Sequence, residues 1–74
     1  ATLPLPERRT PRFVTAEEWR REGCRLAEEN ELAESVAAFR QALALEPEDA
    51  SSQYHLAESL YRLGNRLGAI ERYY

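Results

Sequence analysis

Apolar residues recur along this chain at steps of three and four, in four groups separated by short polar or turn-forming stretches. Trp19, Gly23, Leu26 and Ala27 form the first group, and Leu32, Val36, Phe39, Ala42 and Leu43 the second. Leu56, Ala57, Leu60 and Leu63 form the third, and Leu67, Ile70 and Tyr73 the last. Such steps place each group on one side of a 3.6-residue helix, so the pattern predicts amphipathic helices that bury one stripe each. The connections are only a few residues long, which makes neighbouring helices antiparallel.

The ends of the helices are marked by their own chemistry. Thr15 followed three residues on by Glu18 is a capping box, so the first helix is expected to start at Ala16, with Val14 stapled against Trp19. Asn30 and Glu31 close that helix and open the next, because asparagine tolerates the left-handed backbone a tight turn demands. Glu46-Pro47-Glu48-Asp49 stops the second helix, and Asp49 is placed to cap the third. Gly64-Asn65 predicts a turn before a last helix. Upstream, Pro4, Pro6 and Pro11 with Arg8, Arg9 and Arg12 predict an extended leader over residues 1–15, since proline cannot continue a helix.

Trp19, Gly23, Leu26, Ser35, Phe39, Ala42 and Pro47 stand at offsets 0, 4, 7, 16, 20, 23 and 28. In this arrangement the chain resembles the tetratricopeptide repeat family, whose unit is a helix, a turn and a second helix in about 34 residues. Residues 16–49 fit one unit, and residues 50–74 begin a second that is truncated. A shift of 34 aligns Ala16 with Ala50 and Leu26 with Leu60, and keeps size class in Gly23/Ala57, Ser35/Ala69, Val36/Ile70 and Phe39/Tyr73. Gln53 in place of the tryptophan, Glu22 in place of a leucine and Asn30 in place of the turn glycine are the departures. The expected fold class is therefore all-α: antiparallel helix hairpins of an α-solenoid, in which Gly23 lets two helices approach and Phe39 fills the space beside it.

The resemblance implies a non-catalytic protein–protein interaction module that grips a peptide or partner protein on its concave side, which the first helix of each unit lines. The positions that fall there are Glu17, Arg20, Arg21, Cys24, Ala27 and Glu28 in the first unit and Ser51, Tyr54, His55, Glu58, Tyr61 and Arg62 in the second, of which Arg20, Cys24, Tyr54, His55, Glu58, Tyr61 and Arg62 are the candidate contacts. Tyrosine and arginine dominate binding hot spots, which makes the second set the stronger candidate. Arg20, Cys24 and His55 stand where the subclass that clamps chaperone tails has lysine, asparagine and asparagine, so that ligand is not expected. A second reading makes the chain an accessory segment of a larger enzyme, a transferase or hydroxylase, whose catalytic domain lies elsewhere.

Composition narrows the alternatives. The 74 residues carry a net charge of −3, and all ten basic residues are arginine. With few stacking aromatics near the basic leader, nucleic acid is not the expected partner. One histidine and one cysteine are too few for a metal site or a recognisable nucleophile motif, so no catalytic residue, metal or cofactor is assigned. No apolar run reaches the length of a membrane span. Cys24 alone cannot form an internal disulfide, which leaves a reducing, cytoplasmic setting as the default. The chain has no methionine and stops within a repeat, as expected of a piece of a longer protein. Leu67, Ile70, Tyr73 and Tyr74 then leave an apolar end expected to support self-association.

Overall fold

The computed structural model describes residues 13–73, with side chains for residues 13–67. Residues 1–12 of the expected extended leader and Tyr74 lie outside the described residues, as do the side chains of Ile70 and Tyr73. Three helices follow one another: α1 (Ala16–Glu28), α2 (Leu32–Leu45) and α3 (Ala50–Tyr73). Among the described residues there is no strand.

Helix α1 begins where its capping box places it. The Glu18 amide donates to Thr15 Oγ1 at 3.1 Å, and the Thr15 amide donates to Glu18 Oε1 at 3.1 Å. The Val14 amide also donates to that carboxylate, at 2.8 Å. These backbone donors, Val14 first, hold the Glu18 carboxyl below its ordinary pKa. The expected staple is not made by Val14, which is exposed. Phe13 takes its place, its ring edge-on to Trp19 at 5.0 Å; an aromatic pair gains more than a valine contact there.

At the other end of α1, Asn30 adopts φ 65°. The Asn30 amide bonds to the Ala27 carbonyl and the Glu31 amide to the Leu26 carbonyl, a Schellman turn that satisfies two otherwise free carbonyls. The chain reverses there into α2, the central helix, which is covered on one side by α1 and on the other by α3. Being covered twice, α2 supplies most of the core: Leu32, Ser35, Val36, Ala38, Phe39 and Ala42 are all buried.

Gly23 and Phe39 meet as expected, with a more specific geometry. A Cβ added at Gly23 would lie 2.6 Å from Phe39 Cε1, so the ring itself occupies the space the glycine leaves. Its other side stacks on His55 of α3, with centroids 5.5 Å apart and planes inclined by 16°. One side chain therefore touches all three helices.

Asp49 caps α3 and does more. Its Oδ1 accepts from the Ser51 amide at 3.2 Å, while Oδ2 accepts from Ser52 Oγ at 2.7 Å and from Arg20 Nη1 at 3.1 Å. These donors, Ser52 foremost, lower its pKa. A carboxyl whose pKa is depressed on folding stabilises the native state above its ordinary value of about 3.9 and ceases to as pH falls through the lowered one. Acid melts should accordingly show the advantage of the native chain over Asp49→Asn shrinking below about pH 4; a gap constant down to strong acid would assign Asp49 no such role.

Helix α3 departs from expectation in two respects. First, it runs unbroken through Gly64-Asn65, with neither residue at positive φ. Starting a separate short helix carries a nucleation penalty of about 4 kcal/mol, whereas a glycine inside a continuing helix costs only about 1 kcal/mol. Secondly, its inward residues are Ser52 and Ser59, flanked by half-buried His55, Leu56 and Leu63, while Ala57 and Leu60 face solvent. The small serines allow close packing on α2, and their hydroxyls are satisfied: Ser59 bonds to the Ser35 hydroxyl at 3.1 Å and Ser52 to Asp49. Ser35 also donates to the Leu32 carbonyl at 2.9 Å. Ala57 and Leu60 are the counterparts of Gly23 and Leu26, which α2 covers in the first hairpin; no described helix follows α3 to cover them.

Candidate functional site

Because α1 and α3 both lean on α2 and touch each other little, a groove stays open between them. Its volume is about 270 Å³. Cys24, Ala27 and Glu28 form the α1 wall, His55, Glu58, Ser59 and Arg62 the α3 wall, and Phe39 of α2 the floor. The depth of the groove at its centre thus follows from the same ring that fills the space beside Gly23.

Four of the seven residues singled out from sequence line this groove: Cys24, His55, Glu58 and Arg62. Arg20 is engaged elsewhere, its guanidinium held by Asp49 with its side chain 29% exposed. Tyr54 does not line the groove but is edge-on to His55, which does, with ring centroids 5.3 Å apart. Tyr61 is 71% exposed and does not line the groove; it stands on the solvent face of α3. Phe39 and Ser59 were not among the site residues read from sequence. Phe39 carried a core signal, and Ser59 carried none that separates a groove serine from a solvent-facing one.

The groove has mixed charge with little internal neutralisation. Among the described residues the ion pairs are Arg20 with Asp49, Arg21 with Glu17, and Arg25 with Glu22 and Glu29. Glu58 and Arg62, one helical turn apart, are not paired with each other, and Glu28 is in none of these bridges. The Cys24 thiol is pushed above its ordinary pKa, by burial first and then by the Glu28 and Glu58 carboxylates, with Arg20 opposing. A thiolate nucleophile needs the opposite shift. Cys24 and His55 share the groove, but the shift of this thiol is opposite to that of an activated nucleophile. Among the described residues no three His, Cys, Asp or Glu side chains converge as a metal site requires, and no described helix is long and apolar enough to cross a membrane.

The arrangement can therefore receive an extended segment: an apolar group over Phe39 and His55, with a carboxylate and a guanidinium on the α3 wall to take charged or hydrogen-bonding neighbours. Comparison with known proteins bears on this directly. A family profile described as TPR repeat matches residues 23–64, from within α1, through all of α2, into the second half of α3. No curated protein and no solved structure matches the chain.

Proposed function

Since the chain belongs to the tetratricopeptide repeat family, whose members serve generally as protein-interaction modules, we propose that it binds a peptide or partner protein in the groove between α1 and α3. Cys24, His55, Glu58 and Arg62 are the contacting residues in this reading, with Tyr54 beside His55. The observation that supports it best is the position of Glu58 and Arg62, which make no ion pair among the described residues, beside the Phe39–His55 stack. Exposed charges with no ion-pair partner in the protein are open to pairing with a ligand, and the stack offers the apolar centre around which hot spots form. No chemistry of its own is assigned to the module.

Selection from a displayed peptide library tests this reading. Peptides enriched on the native chain should bind the charge-reversed Glu58→Arg, Arg62→Glu pair at least about tenfold more weakly, the loss expected when charge complementarity at an interface is inverted. The helical CD signal and melting midpoint should hardly move, because both side chains are exposed. Equal binding to both proteins would exclude the groove as the site.

We also propose that the chain self-associates through α3. Leu60 and Leu67, exposed by 41% and 56%, support that reading.

A further inference from the structure

Helix α3 is 24 residues long and α2 is 14. At about 1.5 Å per residue, α3 outruns its neighbour by roughly 15 Å. The Arg66 guanidinium, donating to the Asn30 carbonyl at 3.3 Å, ties it to the turn between α1 and α2. The helix continues beyond that point to Tyr73.

Along this helix, Leu56, Leu60, Leu63, Leu67 and Ile70 follow one another at alternating steps of four and three. That is the heptad spacing of a two-stranded coil, sustained for about two heptads. It differs from the stripe that packs on α2, which runs through Ser52 and Ser59. Within the seam, Leu56 and Leu63 are half-buried by the hairpin, whereas Leu60 and Leu67 are open to solvent. The pattern only became a candidate seam once α3 proved continuous through Gly64-Asn65, since a turn there would break the register.

We infer that this seam pairs two copies of the chain, α3 against α3, in parallel. The inference rests on the self-association reading above and adds its geometry. A heptad seam is complementary to another copy of itself, so a second chain supplies the matching leucines without any other partner. Charge sets the direction. Arg66 precedes Leu67 and Glu71 follows Ile70, so in a parallel pair the arginine of each copy stands opposite the glutamate of the other, whereas an antiparallel pair would place arginine against arginine. Ala57 and Gly64, at the same heptad position as Glu71, are small enough to let the two helices close.

Sedimentation equilibrium on the full chain over a range of concentrations tests the arrangement. The native chain should dimerise. Leu67→Glu, which removes an apolar side chain from both copies, should weaken the dimer roughly 100-fold and leave the α1–α2 hairpin folded by CD. Arg66→Glu alone should weaken it too, and adding Glu71→Arg should restore it. A chain monomeric throughout would overturn self-association and the seam together. A dimer indifferent to Leu67→Glu would overturn the seam but keep self-association, and failure of the charge exchange to restore pairing would overturn the parallel direction.

Discussion

Replacing Phe39 with alanine is expected to unfold the chain at room temperature. The ring is 1% exposed, lies against Gly23 on one helix and stacks on His55 of another. Truncating a fully buried phenylalanine costs about 3–5 kcal/mol, while domains of this size are stable by only about 5 kcal/mol. Because the ring is the shared contact of α1, α2 and α3, its loss should remove the cooperative thermal transition and most of the helical CD signal. Tyr61→Ala, on the solvent face, should shift stability by no more than about 0.5 kcal/mol. A Phe39→Ala chain that melts cooperatively near the native midpoint would show that the three helices are held together elsewhere.

The second large effect is expected at Gly23, with a sign opposite to that of local propensity. Glycine inside a helix costs roughly 1 kcal/mol relative to alanine and a few tenths relative to valine, so Gly23→Val should be mildly favourable if the helix alone decided. The added Cβ would instead lie 2.6–2.7 Å from three atoms of the Phe39 ring. Movement of the ring would break its stacking on His55 and its close burial. Overpacking of this kind typically costs up to about 3 kcal/mol, and valine adds two further methyl groups beyond the colliding atom. A lowered melting temperature is therefore predicted, read by thermal or urea denaturation. An unchanged or raised midpoint would mean that the approach of α1 to the ring is looser than described.

Much of the fold was legible in the sequence because its signals are local. Thr15 and Glu18 fix the start of α1 through bonds three residues apart, Asn30 fixes its end through one backbone angle, and Asp49 caps α3 through residues immediately after it. The contact of Gly23 with Phe39 was legible for a different reason. Only a residue without a side chain fits beside a large ring at that interval, and the repeat pattern carries the interval.

What was not legible depends on partners distant in sequence, or not described. Gly64 permits a turn without demanding one, and whether the chain turns there depends on the gain from packing the segment that follows. The leucines of α3 were read as its inward stripe because leucine is usually buried, yet Ser52 and Ser59 hold that place through hydroxyl bonds to Asp49 and Ser35. Arg20 likewise reads as a free cation on a concave face until Asp49, 29 residues away, is brought beside it. Of the candidate site, the α3 wall was readable from helical spacing; the floor was not, because Phe39 serves core and groove at once.

The three helices come together because the Phe39 ring fills the space that Gly23 leaves open, and a double-mutant cycle addresses that contact alone. Gly23→Ala should destabilise the native chain, since the methyl meets the ring. In a Phe39→Leu background the obstruction is reduced, and the same substitution should become neutral or stabilising as its helix propensity gain of about 1 kcal/mol is released. A cost for Gly23→Ala that is the same in both backgrounds would contradict the contact, and with it the explanation of how α1, α2 and α3 come together around the groove.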